Sequence, residues 1–351
     1  MRYHKVISVI VFIVALVMGG CSNQIIQEEP EMYTSSGSIA PYTQSSFDQY
    51  IAETRAWLDD TRVFHGAGYQ VEMDVVSPYR IVPDQPNGEG ILFVHGLGDS
   101  PYSFVDIAPY LAKHGYLVHV MLLPGHGSRP ADLMNPTNED WRLAVEHQVN
   151  LLRDDVDKIW LGGFSTGTNL VTEYALAHPK AIQGLVLFSP AFAPKDPLVS
   201  MASIASHFVD WVNVEKEQNF TRYDSLAMHG AALYHQTAVD VQNALKDKPL
   251  QLPVLLLVTE TDELIDANVI YNLFNTRFLN EDSALVWFGE QNYSDPRFVR
   301  FTMKLPDANI QSGSHISVLF RDDNLLYGRK GWSKRVDETV WRFSGRRGLH
   351  G

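Results

Sequence analysis

The sequence predicts an α/β fold in which a mostly parallel sheet carries helices on both faces, with a helical insertion near the middle of the chain. Three observations point there. At 351 residues and 45% hydrophobic composition, the chain is long enough to bury a large core. Short continuous apolar runs alternate with amphipathic segments from residue 90 to residue 190, the pattern of strands buried on both faces. That rhythm stops after Pro190 and resumes at "LPVLLLVTE".

Residues 1–20 read as a signal peptide. Arg2 and Lys5 precede a 13-residue apolar run, Val6 to Met18, too short to cross a bilayer as a helix but suited to a signal core. The run ends in "VMGGC", which resembles a bacterial lipoprotein signal, with Met18 standing where leucine is usual. That resemblance implies lipidation at Cys21, and Ser22 behind it implies sorting to the outer membrane. The competing reading is an incidental cysteine behind an ordinary signal peptide or an uncleaved anchor. Cys21 is the only cysteine, so no disulfide can form within the chain.

Residues 21–44 are rich in Ser, Gln, Glu and Pro without a periodic apolar pattern, which predicts a flexible tether. The first part of the core then runs from 45 to 192. "SSFDQYIAETRAWLDD" predicts a helix, with Ser46 and Gln49 at capping-box spacing, and "YQVEMDVVSPYRIVPD" predicts a hairpin. "GILFVHG", "YLVHVMLLPG", "KIWLGGF" and "IQGLVLFSP" follow as strands with helical segments between them. Residues 193–249 hold helical patterns such as "LVSMASIASHFVDWV" and are expected to form a helical cap. Residues 250–345 complete the core.

The chemistry is expected at "GFSTG", which matches G-x-S-x-G between a strand-like and a helix-like run. In that context the motif is a nucleophile elbow, and it names Ser165. A serine nucleophile needs a base, and the base needs an orienting acid. Asp262 follows the apolar run "LPVLLLV", at the carboxyl end of a strand where open α/β sheets build their sites. Glu260 and Asp266 stand close enough in sequence to compete for that role. His315 lies in the small-residue loop "SGSHIS", and the order Ser165, Asp262, His315 is that of an α/β-hydrolase triad. The oxyanion donors are expected to be the backbone N–H groups of Thr166 and Leu97, the latter in "HGLGDS", where Gly96 and Gly98 permit close approach. His95 is expected to organise that loop rather than act as a base.

Together, "HGLGDS", "LPGHGSRP", "GFSTG", "TDELI" and "SGSHIS" resemble the α/β-hydrolase superfamily, in its monoacylglycerol lipase-like and lysophospholipase-like branch, which also holds serine aminopeptidase-like members. The resemblance covers roughly residues 65–325. It implies an α/β-hydrolase fold, ester hydrolysis through an acyl-enzyme, no metal or organic cofactor, and a structural role for His126. The 53 positions from Asp262 to His315 exceed the family's spacing, and "SALVWFGEQNYSDPRF" reads as an added strand and loop. The implied substrate is a small carboxylic ester with an acyl chain, such as a monoglyceride or lysophospholipid. The alternatives are an aminopeptidase acting on short peptides and a lipoprotein that keeps the fold only for binding. A net charge of −13 with no basic stretch argues against nucleic acid as a partner.

Overall fold

The computed structural model describes residues 24–304 and 312–328. An eight-stranded sheet in the order β1-β3-β2-β4-β5-β8-β9-β10 forms its centre. Its strands are β1 (Tyr79–Ile81), β2 (Glu89–Val94), β3 (Leu117–Met121), β4 (Lys158–Phe164), β5 (Gly184–Phe188), β8 (Val254–Thr259), β9 (Ala284–Phe288) and β10 (Phe298–Phe301). Only β1 runs antiparallel to its neighbour; every other pairing is parallel.

Successive residues of a strand face opposite sides of the sheet, and both sides are packed. Leu92 and Val94 of β2, Leu161 of β4, Leu187 of β5 and Leu256 of β8 join Trp141 and Trp287 in the larger core. Ile91 and Phe93 point the other way, against Phe104, Val118, Val120 and Phe164. This double burial explains why these strands read as unbroken apolar runs.

Besides a helical turn over residues 24–28, the helices among the described residues are α1 (Phe47–Thr61), α2 (Tyr69–Val76), α3 (Ile107–Lys113), α4 (Asn138–Asp155), α5 (Thr166–Ala177), α6 (Ala202–Ala205), α7 (Met228–Asp247) and α8 (Ala267–Arg277). Ser46 caps α1 by accepting from Gln49 N, and the Gln49 side chain accepts from Ser45 N rather than closing the box on Ser46. A complete capping box stands instead at Thr137 and Asp140, which open α4.

Three segments differ from the sequence expectations. The predicted hairpin is helix α2 followed by the three-residue strand β1. Glu72 explains the change: its carboxylate accepts from His65 N and Ala67 N at 2.9 Å and pairs with buried Arg62 at 3.0 Å, contacts that fix the helix against α1. The cap is only partly helical. A 3₁₀ turn at Pro197–Met201 and the short α6 precede a two-stranded ribbon, β6 (Trp211–Asn213) with β7 (Leu226–Ala227) antiparallel, and only then comes the 20-residue α7. "WVN" is rich in strand formers, and pairing with β7 selects that state over the helix.

The third concerns the expected tether. Residues 24–44 lie along the body: Met32, Tyr33 and Ala40 are buried, and Ser36 N donates to Asp132 Oδ1 at 2.7 Å. Tyr33 sits edge-on to Trp211, and its hydroxyl donates to Glu215 O. Residues 1–23, with the expected signal peptide and Cys21, lie outside the described residues.

The segment "SALVWFGEQNYSDPRF" supplies β9, a loop and the start of β10. This pairing adds an edge to the sheet and accounts for the long interval before His315.

Candidate active site

Ser165 stands at the handover from β4 to α5 with φ 51° and ψ −121°, outside the regions that L-residues prefer. The surrounding glycines make this turn possible. A Cβ on Gly167 would lie 2.0 Å from Val94 O, and one on Gly163 would lie 2.7 Å from Thr168 N. The helix therefore starts hard against the end of β2. The turn is pinned by Ser165 N donating to Phe188 O at 3.0 Å, and Thr168 N and Oγ1 both donate to Ser165 O.

The loop after β2 meets this turn. A Cβ on Gly96 would come within 3.0 Å of the Ser165 Cβ, so the Gly96 backbone lies directly beside the serine. Thr166 and Leu97 present backbone N–H groups that have no acceptor among the described residues. For Thr166 this follows from its place as the first residue of α5, whose leading N–H groups lack intrahelical partners.

Two buried histidines hold the loop. His95 Nε2 accepts from Leu123 N at 3.0 Å, and its Nδ1 faces Gly96 O at 2.8 Å. His126 Nε2 accepts from Gly98 N at 3.0 Å, and its Nδ1 faces Pro124 O at 3.2 Å. Each pattern requires a neutral ring protonated on Nδ1. Burial agrees with it, holding His95 well below the ordinary histidine range and His126 at about 4. Both histidines are thus loop struts, as expected.

Asp262 and His315 meet at the carboxyl edge of the sheet. Asp262 is fully buried, and its Oδ2 lies 2.7 Å from His315 Nδ1. Its Oδ1 accepts from Leu264 N and Ile265 N at 2.9 and 3.1 Å, which fixes the carboxylate plane. The rivals are engaged elsewhere. Glu260 accepts from Gln291 N at 2.8 Å and from Trp287 Nε1 at 3.2 Å, fastening the loop between β9 and β10. Asp266 caps α8 by accepting from Asn268 N and Val269 N.

The His315 ring lies 5.1 Å from that of Phe164, the residue before Ser165. Its Nε2 is buried and has no hydrogen-bond partner among the described residues. A buried polar atom left in that state carries a cost unless a ligand or water completes it.

Three supports for the His315–Asp262 pair were not expected. Ser189 Oγ donates to His315 O at 2.6 Å, Glu263 Oε2 accepts from His315 N at 3.2 Å, and Lys195 Nζ donates to Asp262 O at 2.7 Å. Ser189 takes φ 44° just past β5, and nothing in "LFSP" announces it. Its signal is purely tertiary.

Comparisons with known proteins bear on the family and the fold. The profile of the family described as serine aminopeptidase, S33 matches residues 85–288. A thermostable monoacylglycerol lipase of Bacillus sp. (strain H-257) is 35% identical over 102 residues, 29% of this chain and 40% of that protein. A carboxylesterase of Bacillus subtilis (strain 168) is 23% identical over 231 residues, 63% of this chain and 90% of that protein. Among solved structures, one from LipS and LipT, two metagenome-derived lipolytic enzymes, superposes with a TM-score of 0.55 at 18% identity. It covers 76% of this chain and 96% of that chain, and it supports the fold.

Proposed function

The chain belongs to the serine aminopeptidase S33 family of hydrolases, and on that footing we propose that it cleaves carboxylic esters of small acyl-chain substrates through a serine acyl-enzyme. The observation that carries this reading is the 2.7 Å contact of His315 Nδ1 with buried Asp262, on a ring whose Nε2 is unpartnered at the edge that holds the strained Ser165.

In this mechanism Asp262 fixes the His315 tautomer, leaving Nε2 as the base. His315 Nε2 takes the Ser165 hydroxyl proton as Oγ attacks the ester carbonyl carbon. The negative charge gathers on the carbonyl oxygen, which the N–H groups of Leu97 and Thr166 receive. Collapse expels the alcohol, which leaves with the proton from His315. Water then gives a proton to His315, attacks the acyl-enzyme and releases the acid, and Ser165 regains its proton.

The names of the two Bacillus relatives favour monoglycerides or other carboxylic esters. The family description itself favours a second reading, removal of amino-terminal residues from short peptides. A series of p-nitrophenyl esters of increasing chain length beside a panel of aminoacyl arylamides separates the two. Ester turnover should exceed arylamide turnover by orders of magnitude. Comparable or faster arylamide cleavage would transfer the assignment to peptides.

Independently, from the "VMGGC" resemblance, we propose that the protein is an exported lipoprotein acylated on Cys21 and held at a membrane. Intact mass of the membrane fraction tests this separately: the mature chain should begin at Cys21 and carry acyl mass.

A further inference from the structure

The outer side of the cap carries an apolar surface that no described element covers. Leu198 is 68% exposed, Met201 56%, Ile204 66% and Phe208 83%, and Val209 and Val212 extend the surface. The first four are spaced three, three and four residues apart, the spacing that gathers side chains on one side of a helical rod. The opposite side is fixed: Ala202 packs on Ala231 and Ala232 of α7. Exposed single apolar residues are ordinary, but a contiguous set of this size marks an interaction surface.

Composition and connectivity identify the occupant. Between Pro197 and Val214 the only acidic or basic side chains are His207 and Asp210, with no lysine or arginine, so the surface offers little to either an anionic or a cationic partner. The cap is also where the N-terminal segment is fastened. Tyr33 packs on Trp211 and donates to Glu215 O, and Lys216 lies 3.7 Å from Glu29. Only eleven residues separate Tyr33 from Cys21 and the apolar run before it. Residues 24–28 among them are helical, so their reach is well short of the about 40 Å of a fully extended stretch.

We propose that the cap surface formed by Leu198, Met201, Ile204 and Phe208 seats in the face of a lipid bilayer, and that residues 24–44 act as a strap holding this surface toward the membrane that carries the anchor. The proposal rests on the anchoring reading for its geometry. It sets the side of the molecule from which a lipid-borne ester would enter. The bilayer it takes is zwitterionic as readily as anionic, because the surface holds no lysine or arginine.

The test places an environment-sensitive fluorophore at the cap in the full chain. Acylation consumes the Cys21 thiol, so Phe208→Cys supplies the one labelling site in the lipidated protein. Glu281→Cys, at the exposed turn before β9 on the amino edge of the sheet, is the control. On phosphatidylcholine vesicles containing a lipid-attached quencher, the label at 208 should shift to the blue and be quenched several-fold, while the label at 281 stays as in water. Added anionic lipid should not increase the quenching. An aqueous label at 208 on vesicle-bound protein, equal quenching at both positions, or a shift that follows protein concentration without vesicles would overturn the proposal; the last result would assign the surface to a second copy. Intact mass reads the anchor independently. If Cys21 proves unacylated, the anchoring reading fails, and a label at 208 in a Cys21→Ala chain must still be quenched by excess vesicles for the surface to stand. Turnover of a soluble short-chain ester should be the same in all these variants, so a failure of ester hydrolysis is distinguishable from both.

Discussion

Ser165 holds a backbone conformation that costs a non-glycine residue on the order of 1–3 kcal/mol, and the fold maintains it through the Phe188 and Thr168 contacts. Replacing the residue tests the role without disturbing the turn. Ser165→Ala and His315→Ala should each lower ester kcat by on the order of 10⁴- to 10⁶-fold with Tm preserved, and the double variant should be no worse than either single one. Near-native turnover by either folded variant removes that residue from the mechanism. Asp262→Asn should lower kcat by about 10⁴-fold through the wrong His315 tautomer. Asp266→Asn should leave kcat unchanged, since asparagine caps α8 equally well. Equal losses in the two variants would contradict the assignment of the acid. A different residue, His119, tests burial: stacked on Phe47 at 3.8 Å, with neither ring nitrogen hydrogen-bonded among the described residues, it is held by burial at about 3. The unfolded chain, titrating near 6.5, binds this proton more readily than the folded one. Stability from the neutral ring is therefore full above about pH 6.5 and is lost as pH falls toward 3. His119→Phe should raise Tm, and its advantage over the native chain should widen on acidification through that window. Denaturant titrations at pH 7 and pH 5 measure it; an advantage that shrinks at pH 5 would refute the account.

At the scale of elements, the weak link is the junction of α1, α2 and the cap. Arg62 donates to Gly127 O and Phe220 O and pairs with Glu72, both side chains being buried. Glu72→Ala would leave that guanidinium uncompensated and should cost about 3–5 kcal/mol, read from chemical denaturation. A loss below about 1 kcal/mol would mean that water replaces the carboxylate. This junction also shows where the sequence misleads. Tyr69, Val71, Met73 and Val75 alternate as a strand would, yet Tyr69 and Val71 are more than half or half exposed while Met73 and Val76, three apart, are buried. Helical spacing wins because Glu72 must reach Arg62 and the backbone of His65 and Ala67. The central strands were legible because parallel strands buried on both faces leave continuous apolar runs. The Ser165 turn and the Asp262–His315 pair were legible as candidates because the elbow needs its glycines, Asp262 follows a strand and His315 lies in a small-residue loop. Ser189, Glu263 and Lys195, which hold His315 and Asp262, leave no local signature, since their role exists only once the strands are adjacent. The tether was misread for a related reason: a polar, Ser-rich segment gives no sign that Tyr33 and Asp132 will receive it.

For the whole molecule, the candidate site stands at the carboxyl edge of the sheet, and residues 24–44 fasten the cap from outside through Tyr33 and Glu29. If Cys21 carries the anchor, Cys21→Ala should leave an unprocessed or soluble product with unaltered turnover of a soluble ester, and fractionation followed by activity assay measures both. Loss of turnover along with membrane attachment would mean that the anchor does more than localise the chain. Ester hydrolysis by this chain requires Ser165 as the nucleophile, and mass-spectrometric localisation of a fluorophosphonate adduct on the native chain decides whether it is. One adduct is expected, on Ser165, absent when the protein is unfolded before treatment. An unmodified Ser165 in active, folded protein, or inactivation with the adduct on another residue, would contradict it.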